Sequence, residues 1–506
     1  MKKILICLST FLIGQEKYDV DWETVAKIRE EGFQRSEISN TLSYMTDVIG
    51  ARLTNSEDMR RAQDWAVKEM NRIGLHNIEI EPFMDYGFSW DNEYFSIHMI
   101  EPDYQTMVGY PIAHTPGING RQRLTVLRTQ IETKDDLEKY RGKLRGKAVL
   151  SSPPPNIDQE RYRNGTPRYT DEQLKDISKK PFPKPPRGPR APQNPNLVSS
   201  EERNIFFKNE GVSVILESRS GWIGAVRGFA RPGAKKDKWD RKGTVNHLPI
   251  VAITPEHYNR MIRIVDRDIE VKIDVEIKTK IGKNRRKARN VLGEIIGSDK
   301  KDEIVMLGAH FDTWHASPNA SDNTSGVAVM LEAMRILKAI DVKPRRTIRI
   351  ALWSGEEQGL HGSREYVNKH FGNPNDPDIG KKDGYEKFSA YFNQDYGPGQ
   401  YRGIYLQDNQ HVRKAFTSWM KPFKDLGMTT IGSQSVGSTD HIPFDKAGLP
   451  AFQFLQDRVG GTGGHTNLDF YDTIPIEDIK KNAVIVASFV YHTAMLNNSL
   501  PRKKSE

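Results

Sequence analysis

From about residue 290 onward, apolar runs of strand length alternate with longer helical stretches, and this alternation constrains the fold more than any other feature of the chain. "NVLGEIIG", "EIVMLGAHFD", "RTIRIALWS", "FSAYFNQD", "RGIYLQD" and "PAFQFLQ" read as strands. "SGVAVMLEAMRILKAI", "LHGSREYVNKHF", "HVRKAFTSWMKPFKDLG" and "IEDIKKNAVIVASFVYHTAML" read as helices. Strand then helix, repeated with short connections, predicts an α/β fold: a mostly parallel central sheet sandwiched by helices.

The rest of the chain has a different texture. "TNSEDMRRAQDWAVKEMNRIGL" predicts an amphipathic helix with Ser56 as its N-cap and Gly74 at its stop. Between about 121 and 285, "LRGKAVLSS", "VSVILES" and "HLPIVAIT" read as strands around a long loop rich in Pro and charge at 153 to 200. The expected organisation is therefore a leader over 1–14, an N-terminal part of the main unit over 15–120, a β-rich inserted unit over 121–285, and the strand–helix unit over 286–500. At 506 residues the chain is long enough for about two to three domains.

Charge and cysteine content narrow the chemistry. "MKKILICLSTFLIG" sets two lysines before a short apolar stretch, the outline of a secretory leader, so an exported protein, periplasmic or extracellular, is expected. The single cysteine, Cys7, lies in that leader, which removes disulfides, thiolate metal sites and cysteine nucleophiles from the mature chain. The net charge of +9 sits largely in basic stretches without interleaved aromatics, so a solvated basic surface is expected and nucleic acid is not. No later stretch has the length of a membrane span. Asn319 and Asn323 stand in N-x-S sequons, read as chance matches.

In folds of this kind, ligands bind beyond the carboxyl ends of the strands. There the chain collects His310 and Asp312, Glu356 and Glu357, and Asp395; "PAFQFLQD" leads on to His465 and Asp469, and Asp322 opens the next helix. Imidazoles and carboxylates without thiols suit a mixed N/O site, with zinc or a pair of zincs as the usual catalytic occupant. Two metals need a bridging carboxylate. The adjacent acids of "WSGEEQG" point in different directions, so one binds metal while its neighbour takes a proton from the attacking water. Glu357 is thus expected as a ligand and Glu356 as the general base.

At these residues the sequence resembles the co-catalytic zinc exopeptidases, a family that includes bacterial leucyl aminopeptidases, plasma glutamate carboxypeptidase and glutamate carboxypeptidase II. The resemblance spans about residues 35 to 495 and rests on the order of "GAHFDTW", "SDNTSGVAVMLEAMRIL", "RTIRIALWSGEEQGLHGS", "STDHIPF", "GLPAF" and "GHTNLDFYDT". It implies two zinc ions, one held by His310, Asp322 and Asp395 and the other by Asp322, Glu357 and His465, with Asp322 bridging. It implies supporting roles for Asp312 beside His310 and for Asp469 near His465; His441, at a family-like position, is expected to line the substrate pocket or steady the tetrahedral oxyanion, with a structural loop histidine as the alternative. It also implies that the inserted unit is a protease-associated domain, with "RGKAVL" and "NEGVSVILES" as the matching pieces. The chain departs from the family at Gly464, where relatives carry a second His, and in the size of the loop at 153 to 200. The function expected is that of an aminopeptidase or dipeptidase releasing N-terminal residues from short peptides, with a peptide substrate as partner, no nucleic acid and no stable membrane insertion. The alternatives are a glutamate-type carboxypeptidase, which needs a basic pocket for the substrate carboxylate, a glutaminyl cyclase, and a non-catalytic binding protein on the same scaffold.

Overall fold

The computed structural model describes residues 18–157, 166–179, 194–459 and 464–503. The leader and Cys7 lie outside the described residues. Eight strands form a mixed sheet whose spatial order is His76–Gly87, Arg286–Ile295, Arg346–Trp353, Lys300–His310, Phe388–Asn393, Ala451–Gln456, Tyr401–Tyr405 and Thr430–Gly432. Its middle four strands are parallel, in the register His310 opposite Trp353, Gly308 opposite Asn393 and Asn393 opposite Gln453. These strands are buried on both faces, which is why they read as near-continuous apolar runs. The antiparallel strands lie toward the two edges.

Successive side chains divide between the faces. Val305, Leu307 and Ala309 pack under the helices Ser325–Ala339 and Ile476–Met495, while Met306 joins Trp353, Tyr366 and Phe444 on the opposite face under His361–His370 and His441–Lys446. The helix Glu57–Ile73 forms where expected: the Ser56 hydroxyl accepts from the Met59 N–H, and Gly74 ends it at φ +84°. Among the described residues no helix is long and apolar enough to cross a membrane.

The second sheet also has eight strands, ordered Gln105–Thr106, Trp90–Glu101, Lys272–Ile281, Gln122–Arg128, Ala148–Leu150, Val214–Glu217, Ile250–Ile253 and Gly109–Pro111. The expected boundary at residue 121 falls inside this sheet. Trp90–Glu101, upstream of that boundary, pairs along its length with Lys272–Ile281, starting at Trp90 opposite Ile281. Only Phe88 and Ser89 separate it from His76–Gly87 of the first sheet, so the chain changes sheets in the middle of a β-rich stretch.

The loop at 153 to 200 also differs from the exposed segment expected. Within it, the segment 166–179 carries the helix Asp171–Ser178 and docks on the first sheet, with Leu174 buried against Tyr405 and Leu455. Arg168 holds it there through Asp478 at 2.6 Å and Asp457 at 3.2 Å.

Candidate metal centre

The carboxyl ends of the parallel strands meet where the sequence places its acids and histidines. His310 ends its strand with its side chain 1% exposed. Its Nδ1 donates to the Asp312 carbonyl at 2.9 Å, which leaves Nε2 to face Asp395 Oδ1 at 3.1 Å and Asp322 Oδ1 at 3.2 Å. On the other side, His465 Nε2 lies 2.8 Å from Glu357 Oε2 and 3.1 Å from Asp322 Oδ2. The two oxygens of Asp322 are thus divided between the two imidazoles. His310, Asp322 and Asp395 form one group in which the ligand atoms lie within 4.8 Å of one another; Asp322, Glu357 and His465 form a second.

Several local devices hold this arrangement. Asp322 sits outside helical geometry, at φ −132° and ψ 83°, in the turn Ala320–Thr324, and its peptide bond to Asn323 is cis. The Asp469 carboxylate fixes that turn by accepting from the Ser321 N–H at 2.8 Å, the Ser321 hydroxyl at 2.7 Å and the Asp322 N–H at 3.3 Å. Asp469 therefore contacts the chain at Asp322, not His465. The Asp312 carboxylate accepts from the Glu356 and Glu357 N–H groups at 3.2 and 3.4 Å and from the Thr54 hydroxyl at 2.8 Å. One residue thus orients His310 through its main chain and the Glu doublet through its side chain. The doublet's turn is closed by the Glu356 carbonyl, which accepts from Gly359 at 2.8 Å and Leu360 at 3.0 Å. Arg52, fully buried, donates to the Phe311 carbonyl at 2.8 Å and the Thr324 hydroxyl at 2.6 Å, joining the loops after His310 and Asp322.

A cavity of about 750 Å³ opens over these groups and is lined also by Thr166, Tyr396, Ser438 and Arg458. Glu356 lines it beside Glu357. His441 does not. It is fully buried, and its Nε2 is within hydrogen-bond distance of the Gln407 amide at 2.7 Å and the Val436 carbonyl at 3.1 Å. Those two groups hold the ring, and it is not among the residues that line the cavity, where it was expected. Gly464 has a steric reason: a Cβ added there would lie 2.0 Å from Asp322 Oδ2. Asn319 and Asn323 are fully buried, in keeping with chance sequons.

The electrostatics follow from crowding five carboxylates around two imidazoles. Burial alone would lower His310, but the charges of Asp395 and Glu356 and the Asp322 hydrogen bond raise it well above the ordinary histidine value. His465 also rises against burial, to about 10, through Glu357 and Asp322. Burial pushes Asp322 up, yet hydrogen bonds from His310 and His465 hold it below the usual carboxylate range. Burial lifts Glu357 to about 7 and carries Glu356 well above the ordinary range, with Asp395, Asp440 and Glu357 adding repulsion. Asp440, which sequence reasoning passed over for its neighbour His441, is fully buried, accepts from the Ser363 hydroxyl at 2.6 Å and is raised to about 7 by burial. The buried Glu357 Oε1 has no hydrogen-bond partner among the described residues. An excess of carboxylates, an unpartnered ligand oxygen and a shared Asp fit a pair of divalent cations with N/O coordination.

The chain is similar to peptidases of known family. Residues 290–490 match the model of Peptidase family M28. The chain is 22% identical to carboxypeptidase Q of Pongo abelii over 466 residues, covering 91% of this chain and 86% of the relative. Among solved structures, a peptidase M28 precursor from Shewanella amazonensis shares the fold at TM-score 0.65 and 22% identity, covering 96% of this chain and 99% of that one. A zinc aminopeptidase from Bacillus subtilis shares it at TM-score 0.54 and 18% identity, covering 93% and 96%. Residues 290–490, the part of the chain that matches peptidase family M28, supply every candidate ligand.

Proposed function

We propose that this protein is an exported co-catalytic zinc exopeptidase that releases N-terminal residues from short peptides, dipeptides included. The observation that carries the reading is the division of the Asp322 carboxylate between His310 and His465, which makes two overlapping ligand sets from five side chains. His310, Asp322 and Asp395 would hold one zinc, and Asp322, Glu357 and His465 the other. Bound zinc supplies a Lewis acid that polarises the scissile carbonyl and lowers the pKa of water.

Glu356 is the base in this reading. Burial and the nearby Asp395, Asp440 and Glu357 raise its affinity for a proton. Its carboxylate accepts the proton of the attacking water and returns it to the leaving amine nitrogen as the C–N bond breaks. Asp312 keeps it beside the ligands by accepting from both N–H groups of the doublet. The names of the relatives, a carboxypeptidase and an aminopeptidase, support removal of a terminal residue. The leader-like residues 2–14 support export, and the second sheet is read as a protease-associated type of unit.

Elemental analysis of freshly purified protein, with hydrolysis of a dipeptide and aminoacyl panel before and after chelation, tests the reading. Zinc bound to the chain and hydrolysis that chelation abolishes and added zinc restores are the expected results. A protein that binds no zinc and cleaves no member of the panel when zinc is supplied is a binding protein on the same scaffold.

A further inference from the structure

The two histidines of the metal centre are held in different ways. His310 ends a central strand, its side chain 1% exposed and its Nδ1 fixed by the loop that follows it. His465 stands on the connection after Ala451–Gln456, and its side chain is 30% exposed. Its backbone lies at φ +67°, in the left-handed region that a residue bearing a side chain occupies at a cost and keeps only when its surroundings hold it there.

Those surroundings come from both units. From the first-sheet unit, the Ser317 hydroxyl donates to the Thr466 carbonyl at 2.7 Å, and the Asp469 carbonyl accepts from the Ala320 N–H at 3.2 Å. From the second-sheet unit comes the segment 224–229, which lies between Val214–Glu217 and Ile250–Ile253. Asn467, 8% exposed, joins the two. Its Oδ1 accepts from the Val226 N–H at 2.6 Å, its Nδ2 donates to the Gly224 carbonyl at 3.1 Å, and its own N–H donates to the Val226 carbonyl at 3.1 Å. Arg227 and Thr466 pair as an antiparallel bridge, and Phe229 packs edge-on against His465 at 5.4 Å between ring centres. The segment is anchored in its own unit: Glu256, in the first turn of the helix Pro255–Val265, accepts from the Gly224 N–H at 3.1 Å, and the Phe229 carbonyl accepts from the Ala113 N–H at 2.9 Å.

The other ligand set is built differently. Asp312, Arg52 and Asp469, which fix His310 and the turn of Asp322, all lie outside the second-sheet unit, and Asp395 follows the first-sheet strand Phe388–Asn393. A buried amide that donates and accepts at once is satisfied only by a backbone in register with it, so the contact at Asn467 sets where the His465 loop sits.

We propose that Asn467 is a positioning residue for His465: by latching the ligand loop to Gly224 and Val226, it makes the second-sheet unit a structural part of the Asp322, Glu357 and His465 site and not of the His310, Asp322 and Asp395 site. The proposal rests on the zinc exopeptidase reading, which places an ion in each set.

Zinc binding by the full chain, measured by competition with a chromophoric chelator, tests it. Wild-type protein should show two affinities. Asn467→Ala should weaken one by about 10 to 100-fold, the scale of losing a partner that orients a ligand, and leave the other unchanged. The affinity that falls should be the one that His465→Ala removes, and in the His465→Ala background Asn467→Ala should not alter the site that remains. Asn467→Asp, which keeps the acceptor for the Val226 N–H, should retain more affinity than Asn467→Ala. Equal weakening of both sites, a further loss in the His465→Ala background, or no change at either site overturns the proposal. Should Asn467→Ala not fold, Glu256→Ala, at a half-buried position of the second-sheet unit, frees Gly224 from the far side; selective weakening of the His465 site then supports the proposal and unchanged binding overturns it. Wild-type protein that binds no zinc overturns the exopeptidase reading and this proposal with it, whereas two zinc sites indifferent to Asn467 overturn this proposal alone.

Discussion

The two sheets share a device and use it differently. Each has a run of four parallel strands: Arg346–Trp353, Lys300–His310, Phe388–Asn393 and Ala451–Gln456 in the first, and Gln122–Arg128, Ala148–Leu150, Val214–Glu217 and Ile250–Ile253 in the second. Beyond the strands of the first lie His310, Glu356, Glu357 and Asp395, held close to one another. Beyond those of the second, hydroxyls close on the backbone. Tyr258 accepts from the Ser152 N–H at 2.9 Å and donates to the Ser152 carbonyl at 2.7 Å, and Ser152 Oγ accepts from the Ser218 N–H at 3.3 Å. The acid there, Glu217, is paired with Arg219 at 2.8 Å. Parallel topology offers a crevice in both places. At the first edge carboxylates outnumber imidazoles, whereas at the second the acid has its own guanidinium.

Substitutions can break this contrast at either edge. The largest effect is expected from Asp322→Asn, which removes the carboxylate common to both ligand sets; zinc content should fall for both sites and hydrolysis should drop to background. Glu356→Gln should keep its zinc by elemental analysis and lose kcat by a factor on the order of 10² to 10⁴. Full turnover in that variant would assign the base elsewhere. Asp469→Asn loosens the turn that aims Asp322, and zinc affinity measured by competition with a chelator should weaken by about 10 to 100-fold.

The seam between the edges should respond to acid. His315 Nε2 donates to the Pro111 carbonyl at 2.7 Å, tying the metal loop to the second sheet, and burial lowers its pKa to about 4. Burial, with Arg231 and His315 nearby, lowers His114 to about 3. Both rings are neutral in the folded protein, whereas the unfolded chain takes up protons below about 6.5. Their contribution to stability is complete above that pH and is lost as pH falls toward 4 and 3, so the thermal midpoint should decline over this window. A flat profile would mean that the rings are not confined as described. The smallest effect is expected at the second edge: Tyr258→Phe should cost about 1 to 2 kcal/mol in denaturant unfolding, by stranding the Ser152 backbone groups, and leave zinc content unchanged.

The grouping of His310, Glu357 and Asp395 was legible because each stands where, or just after, an apolar run stops, a local signal that needs no knowledge of distant contacts. His310, Glu357 and Asp395 are brought together by topology once their strands are parallel neighbours, and His465 comes in from the connection that follows the next strand. What surrounds them was not legible. Arg52 reaches Thr324 across 272 positions, and Thr54 reaches Gln358 across 304, and no spacing rule encodes such pairs. His441 shows the limit of a motif, which names a residue without fixing the direction of its ring. The start of the second sheet was hidden for a related reason: His76–Gly87 and Trp90–Glu101 are nearly continuous in sequence, and nothing in their composition says that they belong to different sheets.

The pairing of Trp90–Glu101 with Lys272–Ile281 has a consequence for how such a gene can change. The chain leaves the first sheet after Gly87 and returns at Arg286, and the two crossings lie side by side, with Trp90 opposite Ile281. The second sheet between them is a cassette on a two-stranded stem, and the segment 166–179 is its arm onto the first sheet. Recombination can therefore exchange the second sheet as one block, while the strands that present the candidate ligands are inherited undisturbed.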